Sequence, residues 1–161
     1  MTRIGKLNFI DVFSGAGGFS CGLEMAGFNC LLGIDFNKHA MTTFAKNHKN
    51  AHTYCGDVTK FSNKKIKEIL GDKKISLVVG GPPCQGFSTV GPGNPDDNRN
   101  NLFLEFLRIV KLTKPEYVVI ENVTGLLAKK NESTLKAIFK KFNSLGYNLD
   151  VQVLSSQNYG V

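Results

Sequence analysis

The chain has 161 residues, a formal net charge of +7 and a pI near 9.3. Its 42% hydrophobic and 20% charged content is that of a soluble globular protein, and its length suits one domain that buries roughly two thirds of its unfolded surface. No apolar run approaches membrane-spanning length, Met1–Gly5 carries no signal-peptide pattern, and Cys21, Cys30, Cys55 and Cys84 form no CxxC pair, so a cytoplasmic chain with free thiols, no metal site and no membrane partner is expected.

Leu7–Phe13 reads as a first strand, followed by a turn at Ser14-Gly15-Ala16-Gly17-Gly18. A helix follows with Phe19, Leu23 and Ala26 on its inner face and Gly27 as its stop. Asn29–Ile34 is a second strand ending at Asp35. Asn37 can cap the next helix, which turns Ala40, Met41 and Phe44 inward. Thr53–Cys55 is a short third strand, closed by Gly56-Asp57. A basic helix spans about Asn63 to Leu70, and Gly71-Asp72 leads into a fourth strand over Ile75–Val79.

After that strand comes Gly80-Gly81-Pro82-Pro83-Cys84-Gln85-Gly86-Phe87-Ser88, opening a segment with little helix or strand pattern up to Asn101. A loop of that length in a compact domain is usually functional or disordered. Pro82 and Pro83 stiffen its base, so the Cys84 thiol is presented at a strand end like a nucleophile beneath a lid. Leu102–Leu112 is helical by spacing, Tyr117–Ile120 is a fifth strand ending at Glu121-Asn122, Ser133–Leu145 is a helix stopped by Gly146, and Tyr147–Leu154 is a sixth strand.

Lysines concentrate at 60–74 and 111–141, on amphipathic helices whose basic side is expected to be a solvated outer face. Gly81–Val110 sets Arg99 and Arg108 against Asp96, Asp97 and Glu105, so a nucleic-acid partner would take most of its phosphate contacts elsewhere. His39, His48 and His52 are expected at the surface, with none beside Cys84 to make a Cys-His pair.

Alternating strands and helices imply an α/β fold with a doubly wound, mostly parallel sheet, whose ligands sit beyond the carboxyl ends of the strands. That rule gathers Ser14–Phe19, Asp35, Asp57, Pro82–Ser88 and Glu121-Asn122 on one rim. The glycine turn allows close backbone approach to a ligand but lacks the full dinucleotide spacing. Asp35 stands where this architecture holds a ribose, or caps a helix. Asp57 can accept from an adenine amine, or closes a turn. Glu121 is either a salt-bridged rim carboxylate or an acid with a raised pKa that gives a proton to substrate.

Asp11–Ser20, Gly80–Ser88, Glu121-Asn122-Val123 and Gln157-Asn158-Tyr159-Gly160-Val161 resemble the first, fourth, sixth and eighth sequence blocks of the cytosine-5 DNA methyltransferases; Gly33-Ile34-Asp35 and Gly56-Asp57-Val58 resemble the second and third. The resemblance covers nearly the whole chain, in order and spacing. It implies a Rossmann-like fold and methyl transfer from S-adenosylmethionine to carbon 5 of cytosine in double-stranded DNA, with the base flipped out of the duplex. Cys84 would be the nucleophile at carbon 6 and Glu121 the acid at N3. Phe13, Gly15, Gly17, Gly18, Asp35, Phe36, Asp57, Val58, Pro83 and Leu102 would line the cofactor site. Gln85 and Ser88 would lie near the DNA, and Asn122 would help place the Cys84 loop. A nucleoid-associated, bacterial restriction-modification style of enzyme follows; a tRNA-modifying relative or a non-catalytic subunit acting by association is the alternative.

The family's pattern continues beyond Val161 with an arginine-bearing block, a seventh strand and a target-recognition domain, so residues 1–161 correspond to a truncated cofactor-binding and catalytic domain. The expectation is that the sixth strand lacks its neighbour and stays unpaired or mispairs. The chain alone should bind cofactor weakly and show little activity, with a complementary C-terminal fragment or subunit as its partner.

Overall fold

Short apolar runs punctuated by glycine and polar turns give five strands among the described residues, all of which pair in parallel. The computed structural model describes residues 7–82 and 98–160. Its strands β1 (Asn8–Val12), β2 (Asn29–Asp35), β3 (His52–Cys55), β4 (Leu77–Gly80) and β5 (Tyr117–Ile120) form one sheet in the order β3-β2-β1-β4-β5. The crossovers are α1 (Gly18–Met25), α2 (Lys38–Asn47), α3 (Asn63–Leu70) and α4 (Asn98–Thr113), and α5 (Glu132–Asn143) follows β5. Strand order reverses between β1 and β4, the position at which doubly wound sheets open a crevice.

Side-chain alternation divides the core into two layers. Ile10, Val12, Leu32, Ile34 and Val78 pack with Phe61, Ile66, Phe103, Phe106, Ile109, Ile138 and Phe142. On the other face, Phe9, Cys30, Leu77 and Val79 pack with Met41 and Phe44. The β1–β2 register shifts between Phe9 and Ile10, where β2 carries the extra residue Leu31. Gly33 and Gly80 have no room for a side chain: a Cβ would meet the Phe44 ring at Gly33, and the Val12 carbonyl and Phe106 at Gly80.

Most element assignments from sequence agree with this fold, with Asn37 capping α2 through bonds from the His39 and Ala40 amides at 3.0 and 3.1 Å. Four expectations are corrected. α1 does not turn Phe19 and Ala26 inward. Both are exposed, and Ser20 is the buried residue, because its hydroxyl bonds Asp11 beneath it at 2.6 Å. α4 starts at Asn98, so the polar residues 98–101 form its first turn rather than loop. Tyr147–Leu154 forms no strand. It joins no ladder among the described residues, and Val151, Val153 and Leu154 are exposed, which is the unpaired outcome anticipated for a strand without its neighbour. His39 and His52 are at the surface, but His48 is only 3% exposed.

The basic helices keep Lys64, Lys65, Lys67, Lys111, Lys136 and Lys140 exposed. Among the described residues, no helix is long and apolar enough to cross a membrane.

Candidate active site

Because the five strands among the described residues run the same way, their carboxyl ends bring Ser14–Phe19, Asp35, Asp57, Pro82 and Glu121-Asn122 to one edge of the sheet. The β1 side is built from unusual backbone. Phe13 has φ +64°, a left-handed conformation costly for a bulky side chain, and Gly15 and Gly17 have φ +54° and +92°. The turn is tied down by bonds from the Ser14 amide to the Ile34 carbonyl and from the Gly17 amide to the Ser14 carbonyl, both at 3.0 Å. Asp35, at the end of β2, accepts from the Gly15 amide at 2.9 Å and from the Asn37 amide at 2.8 Å, one on each carboxylate oxygen. Each oxygen keeps a further lone pair for a ligand. Asp35 therefore joins the glycine turn to the start of α2, while Asn37 does the capping. A Cβ at Gly15 or Gly18 would meet nothing within 4 Å, whereas the same space at Gly17 is filled by His48 and Phe44. The turn is thus open at Gly15 and Gly18 and closed behind Gly17. Beside Asp35, the Phe36 ring is 78% exposed.

Asp57 closes the turn after β3. Its Oδ1 accepts from the Thr59 amide at 2.9 Å and the Thr59 hydroxyl at 2.8 Å, and these bonds hold its carboxyl below the usual range. The turn-closing reading of Asp57 is the one seen, with capping on one carboxylate oxygen and the residue on the exposed side. Val58 next to it is buried. Arg108 of α4 braces this corner from beneath, donating to the carbonyls of Val58 and Phe61 at 3.1 and 2.9 Å, to Asn63, and to Glu105 at 2.7 Å.

On the β4–β5 side, Gly80 leads into Gly81 and buried Pro82. The Glu121 amide bonds the Gly80 carbonyl at 3.0 Å, and its exposed carboxylate lies so near Gly81 that a Cβ there would stand 3.2 Å from Oε2. Asn122 Nδ2 donates to the Pro82 carbonyl at 3.1 Å, the last described residue before Cys84. Pro83, Cys84, Gln85 and Ser88 lie outside the described residues. Leu102, on the second turn of α4, is half-buried against the main core. Cys30 is a different kind of thiol: burial pushes it up to about 12, which leaves it protonated and inert.

Sequence reasoning passed over Asp11, Ser20, Glu24 and His48, which fasten α1 and the glycine turn from behind. Ser20 donates to Asp11, and His48 bonds Glu24 at 2.7 Å and the Gly17 carbonyl at 3.2 Å. One signal was available, because a carboxylate in the middle of the apolar run Phe9–Phe13 must be buried and must find a donor. Elsewhere, a groove of about 580 Å³ between α3, α4 and α5, lined by Leu104, Arg108, Lys111 and Lys141, holds none of the predicted rim residues.

The sequence matches the C-5 cytosine-specific DNA methylase family over residues 7–161. The chain belongs to this family. Among its methylase relatives, it is 40% identical over 159 residues to the type II methyltransferase M1.HphI of Haemophilus parahaemolyticus, covering 97% of this chain and 43% of that protein. It is 39% identical over 158 residues to the type II methyltransferase M.DdeI of Desulfomicrobium norvegicum, covering 96% and 38%. The chain therefore spans about two fifths of the length of these relatives. In structure it resembles an E. coli prophage protein assigned as a DNA modification methyltransferase, with a TM-score of 0.72 and 35% identity over 86% of this chain and 38% of that one. The fold is shared with a Spodoptera frugiperda DNMT2 mutant, at a TM-score of 0.60 and 23% identity over 86% and 42%. The methylase fold is thus a Rossmann-like parallel sheet, of which this chain carries part.

Proposed function

We propose that the chain is the cofactor-binding and catalytic portion of an enzyme that transfers a methyl group from S-adenosylmethionine to carbon 5 of cytosine in DNA. The observation that carries this reading is the rim itself. An open glycine turn with Asp35 and Phe36 stands on one side of the β1–β4 switch point, and Gly81-Pro82, braced by Asn122 and flanked by Glu121, stands on the other. The cofactor fits the first group. The unfilled space over Gly15 and Gly18 admits a ligand against the backbone, Asp35 has lone pairs for two ribose hydroxyls, and the exposed Phe36 ring offers a face for an adenine. Asp57 and Val58 border the base, with Phe13, Gly17, Pro83 and Leu102 completing the lining. S-adenosylmethionine, when bound, supplies an activated methyl group.

The chain's own residues make the cytosine reactive. The Cys84 thiolate adds to carbon 6, and Glu121 holds and protonates N3, so that carbon 5 becomes enamine-like and nucleophilic. Once carbon 5 is substituted, loss of its proton and elimination of the Cys84 thiol restore the aromatic ring. Asn122 positions the loop through the Pro82 carbonyl. A duplex hides both faces of the base, so the cytosine is flipped out, with Gln85 and Ser88 near the DNA. The setting is the bacterial cytoplasm, at the nucleoid. A complementary C-terminal segment or subunit would cover the exposed β5 residues and complete the site, and residues 1–161 alone bind cofactor weakly.

The reading is tested by trapping. DNA containing 5-fluorocytosine, incubated with S-adenosylmethionine, this chain and the complementary portion, should give a covalent adduct that Cys84→Ser abolishes. Absence of any adduct would leave only a non-catalytic role. Radiolabelled methyl transfer should go to DNA rather than tRNA, and the reverse would make the enzyme an RNA methyltransferase. Isothermal titration showing tight cofactor binding by the 161 residues alone would contradict the need for a completing segment.

A further inference from the structure

The catalytic steps above make no use of the polar groups behind the glycine turn. His48 follows the last turn of α2 and is buried. Its Nδ1 lies 2.7 Å from Glu24 Oε2 on α1, and its Nε2 lies 3.2 Å from the Gly17 carbonyl oxygen. A carboxylate and a carbonyl only accept, so the donor in a hydrogen bond to either is a ring N–H of His48. The ring also stands 4.3 Å from Phe44, and the two rings together fill the space that a Cβ at Gly17 would need. Gly17 is therefore glycine for two reasons, its φ of +92° and the histidine behind it. Gly17 is also the N-cap of α1, where no side chain caps the helix. The geometry that aims the open backbone of Gly15 and Gly18 at a ligand is thus set from behind.

We propose that His48 is the positioning residue of the cofactor turn, holding its left-handed conformation by bridging Glu24 to the Gly17 carbonyl. The proposal rests on the reading of residues 13–18 as the cradle for S-adenosylmethionine. A space-filling role predicts something different, because a phenylalanine would fill the same volume and make neither bond. Loss of the bridge frees the Gly17 peptide to rotate. That disturbs both the turn and the first bond of α1, from the Cys21 amide to the Gly17 carbonyl at 2.8 Å.

The test compares the 161-residue chain with its His48→Phe and His48→Asn variants and with Phe142→Leu, a core substitution in the opposite layer that serves as a stability control. Two readouts are taken: hydrogen exchange of the Cys21 amide without ligand, and affinity for S-adenosylhomocysteine by equilibrium dialysis. His48→Phe should speed that exchange and weaken binding, each by about tenfold, the worth of one hydrogen bond to a charged or fully buried partner. His48→Asn, which keeps one donor, should recover part of both. Phe142→Leu should lower the melting temperature with neither effect. Wild-type exchange and affinity in His48→Phe, or equal losses in Phe142→Leu, would overturn the proposal. Should His48→Phe fail to fold, Glu24→Ala takes its place and Glu24→Gln, which still accepts from Nδ1–H, is the conservative rescue. If the wild-type chain takes up no analogue even with the complementary portion supplied, the reading of the turn as a cofactor cradle fails, while the exchange data still decide the role of His48.

Discussion

The two halves of the sheet are finished to different degrees. In the β1–β3 half, the ligand turn is open in front and closed behind: Phe44 and His48 fill the space beneath Gly33 and Gly17, Ser20 satisfies Asp11, and Asp35 ties the turn to α2. In the β4–β5 half, Glu121 is exposed and β5 is a sheet edge. Tyr117 and Val119 are 70% and 40% exposed, and the stretch Val151–Leu154 pairs with no strand among the described residues. The β1–β3 half is thus closed by its own buried side chains. The β4–β5 half leaves apolar side chains on an edge strand, a surface that invites pairing with another segment.

The comparison can be broken from the cofactor side first. Phe44→Ala empties the space over Gly33 and beside His48, and should cost about 3–5 kcal/mol in denaturant unfolding. A loss below about 1 kcal/mol would mean that this layer is not packed as described. Asp11 gives the next effect. Burial pushes its carboxyl up to about 6 from 3.8, against the pull of Ser20 and His48. A group whose pKa is raised by folding favours the native state while protonated, so its contribution is full below about pH 4 and is lost as pH rises through about 6. Asp11→Asn should remove that loss, so that variant minus wild-type stability climbs by on the order of 3 kcal/mol between those limits. A flat difference would contradict the burial of a charged Asp11. Arg108→Met removes the brace under Asp57 and Val58, and should cost about 1–3 kcal/mol and weaken cofactor binding at that corner. Smallest is Tyr117→Ser on the open half, within about 0.5 kcal/mol for the isolated chain. The same substitution should reduce self-association or docking of a completing segment, measured by sedimentation. A large stability loss would show that the β5 face is already covered.

Where local signals decide, the sequence was easy to read. Helical spacing located α2 and α3, the apolar run Tyr117–Ile120 located β5, Asn37 marked a helix start, and the strand ends defined the rim. What it hid depends on tertiary partners. Hydrophobicity chose the wrong face of α1, because the buried residue there is a serine selected by the Asp11 carboxylate on β1. His48 looked like a surface histidine, since Glu24 and the Gly17 carbonyl, its partners, lie 24 and 31 residues away. Tyr147–Leu154 has strand composition, but a strand exists only with a neighbour. The candidate site divides in the same way: Asp35 and Asn122 stand at the strand ends that the sequence marked, bonded to Gly15, Asn37 and Pro82 of neighbouring turns, whereas His48 and Glu24 behind the glycine turn carry no motif.

The central claim is that one rim joins a cofactor cradle on β1–β3 to a catalytic edge on β4–β5. Amide chemical-shift mapping with S-adenosylhomocysteine tests it most directly. Shifts should concentrate at Gly15, Gly17, Phe36, Val58 and Gly81. Shifts confined to Leu104, Lys111 and Lys141, around the groove between α3, α4 and α5, would contradict it.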